Sequence, residues 1–179
     1  MRKLQVLLFL MLLAICMPGS AAQAAETKVQ LHDEIVLDAF VTGYNKASRY
    51  PVADYSNHSK RGDYEAYVAA VDESNVMLIN TNAAGLISNI ILVHRGDISD
   101  VEQQKLLDMF MGINIALGYP ATEEGRSFLK EAFQRLDITS PEITASRLER
   151  KDILRDYTFL KSENQAQRAH LIMMEAVVE

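Results

Sequence analysis

The sequence predicts an α+β domain. Its antiparallel sheet is a three-stranded meander plus a C-terminal hairpin, packed with an N-terminal helix and two to three central helices. Three observations predict this. Three β-rich runs, 64–71, 76–80 and 86–94, follow one another across polar links of four or five residues, too short for parallel crossovers. Two capped helix starts come next, at Ser99-Asp100-Val101-Glu102 and at Thr122. Two further β-rich runs, 157–162 and 169–178, close the chain.

The N-terminus comes first in order and is not part of the domain. Met1-Arg2-Lys3 is a short basic start, residues 6–17 are an unbroken apolar run, and Pro18-Gly19-Ser20 and Ala22-Gln23-Ala24 follow. That order is a signal peptide, residues 1–24, with cleavage after Ala24. The apolar run is shorter than the roughly 20 residues of a spanning helix, so no transmembrane segment is expected after cleavage. Cys16 follows Leu13-Ala14-Ile15. Ile15 is too large for the small position that normally precedes a lipidated cysteine, so Cys16 reads as one more apolar residue. Cleavage leaves 179 − 24 = 155 residues, a charge of 16 − 24 = −8 and no cysteine. Residues 25–179 read as a single α+β domain.

Within the domain, Leu31, Ile35, Leu37, Ala39, Phe40, Tyr44 and Ala47 recur at helical spacing and predict a helix over 31–48. Gly43 inside it costs roughly 1 kcal/mol against alanine and points to close packing on a neighbour. Residues 50–62, polar and with Pro51, read as a loop. In the run 86–94, Ile87, Ile91 and Val93 are expected on one face and Leu86, Ile90 and Leu92 on the other. Both faces are apolar, which suits a central strand. Asn89 there needs a hydrogen-bond partner or marks a bulge. The helix opened by Ser99 runs to Leu117, stopped by Gly118 and Pro120, and is apolar almost all round from Met109 onward. The next helix spans 123–136, with Phe128, Leu129, Ala132, Phe133 and Leu136 as its inner stripe. Residues 143–156 read as a short helix from Pro141, with a hairpin arm as the alternative. In the last run Leu171 and Met173 face one way, Ile172 and Met174 the other.

Composition excludes several classes. A chain 49% hydrophobic and 23% charged is not disordered. A net charge of −6 argues against a nucleic-acid partner held on a basic face. A single cysteine makes no internal disulfide. The glycine-rich phosphate loops and the Gly-x-Ser-x-Gly elbow are absent from the sequence. His32, His58, His94 and His170 lack zinc spacing, so no metal and no cofactor are expected. His94 and His170 both fall in predicted strands and could meet on one sheet face. Asp33-Glu34, Asp72-Glu73 and Glu123-Glu124 are neighbours in sequence and read as solvated faces and caps. Arg-Gly-Asp occurs at 61–63 and 95–97, where turn chemistry is the stronger reading over adhesion. Arg147, Arg150, Lys151 and Arg155 are interleaved with acids and read as a solvated face.

The stretch 50–58 is the most site-like, with Tyr50, Tyr55 and His58 as partner-binding candidates. No catalytic residue is assigned. The expectation is an exported, non-enzymatic binding or adaptor protein, periplasmic or secreted, of a bacterial envelope. Its partner is a protein or a small apolar ligand, and a homodimer through a sheet edge or face is allowed. The opposing reading is a small envelope hydrolase assembled from His58, His94 and Asp97.

Overall fold

The structure is a computed structural model that describes residues 35–61, 64–140, 143–150, 153–161 and 169–176. The signal-peptide reading and Cys16 lie outside these residues. In chain order the elements are α1 (Leu37–Ala47), β1 (Asp54–Arg61), β2 (Tyr64–Ala70), β3 (Asn75–Thr81) and β4 (Ile87–Arg95). Then come α2 (Asp100–Ala116), α3 (Glu123–Arg135), β5 (Thr144–Arg150), β6 (Ile153–Lys161) and β7 (Ala169–Ala176). The strands form one antiparallel sheet in the order β1-β2-β3-β4-β7-β6-β5. This is the expected α+β class, with one strand more at each end than the sequence predicted.

The first extra strand is β1, which occupies most of the stretch read as a loop. Its sequence, DYSNHSKR, has no apolar alternation, because it is an outer strand that pairs only with β2. Polar edge residues and the register shift between Asn57 and Ser59 both discourage pairing with another chain. The second is β5. Residues 144–150 and 153–156, expected in a short helix, are instead paired strand, in β5 and β6, with Arg147 opposite Asp156. Opposite charges sit across the ladder there rather than along a helix face.

The three described helices pack on one face of the sheet. Leu37, Phe40 and Tyr44 of α1, Leu106, Met109, Phe110 and Ile113 of α2, and Leu129 and Phe133 of α3 share one core with Met77, Ile79, Ile90, Leu92, Ile172 and Met174 of the strands. Residue 114 is buried too, and Asn114 Nδ2 donates to the Phe110 carbonyl at 2.9 Å and lies 3.9 Å from Met174 Sδ. A Cβ at Gly43 would sit 3.4 Å from both Cα and Cβ of Ala116, an ordinary contact, so α1 approaches α2 there without requiring glycine; the tight approach is at Gly112, where a Cβ would stand 2.8 Å from Ser48 Cβ. Phe128, expected inside, is 42% exposed, so the inner stripe of α3 is narrower than the sequence suggested.

The first helix, expected over 31–48, begins only at Leu37, because Val36 is extended and bridges to Leu86 while Ile35 O accepts from Ile87 N. The ends of α2 and α3 are as the sequence proposed. Ser99 Oγ accepts from Glu102 N at 3.3 Å, and Thr122 Oγ1 accepts from Gly125 N at 3.1 Å. At the far end of α2, Gly118 takes φ +89°, with Gly118 N donating to Ile115 O and Tyr119 N to Asn114 O. That pair of bonds closes the last carbonyls. Thr122→Ala is expected to cost about 1 kcal/mol, read as a lower midpoint with an unchanged slope in urea unfolding.

One face assignment changes. Thr81 pairs with Ile87 while Asn80 pairs with Asn89, so Ser88 is an extra residue in β4. The bulge turns Ile87 to the helix side with Ile90 and Leu92, leaving Ile91 and Val93 on the other. Asn89 finds its partner across the strands in the side chain of Asn80.

Candidate functional site

Polar side chains collect at one end of the sheet, where α1 runs into β1 and α2 begins. Asp108 sits in the otherwise apolar middle of α2 and is 8% exposed. Ser48 Oγ and the Arg49 backbone amide both donate to its Oδ2, each at 2.9 Å, and Arg49 Nε donates to Oδ1 at 3.0 Å. That bond holds the Arg49 guanidinium above its usual pKa. Ser48 Oγ also accepts from Tyr50 N at 3.2 Å. Asn45 brackets Val52 with two further bonds, of 2.9 and 2.8 Å. The segment after α1 is thus fastened to both helices. Tyr44, buried beside it, has its hydroxyl pushed up to about 12 by burial.

Tyr50 sits between two cations, with Lys105 Nζ 5.3 Å and Arg49 Cζ 6.0 Å from its ring centre. Lys105 in turn pairs with Asp72. Asp72 Oδ1 accepts from the Ser74 and Asn75 amides, both at 2.8 Å, and from Asn75 Nδ2 at 3.0 Å. Burial alone pushes the Asp72 carboxyl up. The Lys105 ammonium, the Ser74 amide and the Asn75 side chain outweigh it and hold the group below the usual carboxylate range. Burial likewise pulls Lys105 down, and its bond to Asp72 more than restores it.

The sign for stability follows. A folded-state pKa below the unfolded one adds stability above the ordinary carboxylate range, and that stability is lost as pH falls through the folded value. Asp72→Asn is expected to lower Tm at pH 7 and to converge on the wild type as pH drops below about 4. A constant Tm difference across that range in calorimetric scans would argue against this bond set.

Because Asn75 Nδ2 is committed to Asp72, Asn75 turns its oxygen toward His94 Nδ1 at 3.0 Å, a bond made in the tautomer that carries its hydrogen on Nδ1. His94 Nε2 lies 3.4 Å from the Asp97 carbonyl, and Glu102 Oε2 is 3.8 Å from Nδ1. His94 and His170 are register partners on β4 and β7, with ring centres 5.9 Å apart. The two histidines therefore do meet on one sheet face. His170 Nε2 donates to the Gly96 carbonyl at 3.0 Å. The His170–Gly96 bond anchors the β4–α2 turn to the sheet end.

The other candidates fall elsewhere. Tyr55, on β1, donates to the Asp38 carboxylate of α1 and meets Tyr67 edge-on at 6.3 Å. The bond to Asp38 raises its hydroxyl pKa. Tyr67 donates to Glu65 at 2.6 Å, and this bond together with Lys60 lowers Glu65. Tyr50 and Tyr55 thus belong to different contact sets. The His58 backbone lies on β1, and its side chain is outside the described residues. The strands β2 and β3 separate it from His94, so the backbones are at least ~14 Å apart at ~4.8 Å per strand. The Asp97 carbonyl lies 3.4 Å from His94 Nε2. Of His58, His94 and Asp97, the described contacts bring His94 and Asp97 together at the β4–α2 turn.

In the Arg95-Gly96-Asp97 turn, Gly96 adopts φ +102° and its carbonyl is held by His170, so this copy is fastened to the fold. Gly62 and Asp63 of the other copy, with Asp33, Glu34 and Lys151, lie outside the described residues. Among the described residues no three His, Cys, Asp or Glu side chains could hold a metal ion, and no helix is long and apolar enough to cross a membrane. A crevice of about 140 Å3 opens between α2 and α3, floored by Leu107, Phe133 and Ile138. Those three are already 8%, 4% and 2% exposed, so a ligand there would cover little new apolar surface.

The sheet face away from the described helices carries a second apolar cluster. Leu78, Ile91, Val93 and Ala169 are buried in it, with half-buried Val68, Val76, Leu171 and Met173 packed around them. It crosses β2, β3, β4 and β7 and ends at the Asn80–Asn89 pair. Sequence reasoning saw both apolar faces but missed the Asp108 and Asp72 networks. A lone acid in an apolar helix was the available signal for Asp108.

No family model, no curated protein and no solved structure matches this chain.

Proposed function

We propose that this chain is an exported, non-enzymatic binding or adaptor protein of a bacterial envelope, acting in the periplasm or outside the cell after loss of residues 1–24. The observation that carries the reading is the half-buried rim of the apolar cluster on the sheet face away from the described helices, Val68, Val76, Leu171 and Met173; the centre of that cluster is already buried within the chain. Half-buried apolar side chains gathered on a face that no described helix covers suit contact with an apolar ligand or a protein surface. The polar networks support the same reading in a second way. Asp108, Asp72 and His94 direct their bonds at backbone and side chains of the fold, the pattern of fastening rather than of proton transfer to a substrate. Tyr50 and Tyr55, which pack against the helix-side core, and His58 stand as separate contact candidates.

Val76 and Met173 are half-buried on β3 and β7, so lysine at either position can reach water along its stem. Size-exclusion chromatography of envelope extracts tests the proposal. The wild type is expected to elute in a complex. Val76→Lys and Met173→Lys are expected to keep a cooperative thermal transition and elute as free chain. Folded variants that still elute in the wild-type complex would overturn it.

A further inference from the structure

We draw no further inference here: the strongest candidate, the apolar cluster of Val68, Val76, Leu78, Ile91, Leu171 and Met173 on the far face of the sheet, carries nothing beyond the proposed binding role because nothing in the structure shows what covers it.

Discussion

Gly125→Ala is expected to destabilise the protein by about 3 kcal/mol, lowering Tm by roughly 6–12 °C for a chain of this size. A sequence argument gives the opposite sign, since alanine in a helix is ordinarily worth about 1 kcal/mol over glycine. Geometry decides between them. Gly125 lies in the first turn of α3, and a Cβ there would stand 2.2 Å from the Pro120 carbonyl oxygen and 3.2 Å from its carbon. The obstacle is backbone, and it cannot swing aside as a side-chain tip could. Tyr119 just before it is 2% exposed, so the segment has no free direction of retreat. Relief would come from tilting α3, which would open the Phe110–Phe133 contact at 5.4 Å. Ser127→Ala, exposed on the same helix, is the control and should leave Tm nearly unchanged. An unchanged or raised Tm for Gly125→Ala would show that α3 does not start against Pro120.

Asp108→Ala is the second large effect, at about 3 kcal/mol. One carboxylate receives three donors, and its removal leaves the Ser48 hydroxyl, 8% exposed at residue level, without its partner. Asp108→Asn should fall between, since one oxygen can still accept while the amide faces Arg49. Arg49→Ala should change little, because that side chain is 75% exposed and water replaces its bond. Urea unfolding should therefore rank Asp108→Ala as the most damaging, Asp108→Asn as intermediate and Arg49→Ala as the mildest. That order separates a fastening role from a simple surface ion pair. Equal losses for Asp108→Ala and Arg49→Ala would mean that the ion pair, not the buried carboxylate, is what matters.

Much of the fold was legible because its elements carry their own punctuation. Ser99, Thr122 and Gly118 mark helix ends through bonds that the structure repeats. The doubly apolar runs at β4 and β7 announced the two central strands that pair with each other. The illegible parts have physical reasons. An edge strand such as β1 buries little and shows no alternation, so DYSNHSKR reads as loop. The charges of β5 and β6 satisfy a helix pattern and a cross-strand pattern equally well until a register is known. Ser88 moves Ile87 to the other face, because strands have a period of two and a single extra residue inverts whatever precedes it.

The candidate site was legible only in outline. His94 and His170 could be expected on one face, and they are register partners. Their partners could not be read off, because Asn75, Asp72 and Lys105 arrive from β3, a turn and α2, and spacing in sequence does not report such convergence. Tyr50 and Tyr55 looked like neighbours five residues apart, yet one faces Lys105 and the other Asp38.

The most direct test of the binding role is a native mass spectrum of the wild-type protein recovered from its own envelope or medium. The expected result is a chain beginning at Ala25 whose mass is raised by a retained apolar ligand or a partner subunit. A bare monomer beginning at Ala25, with nothing lost on gentle activation, would contradict it.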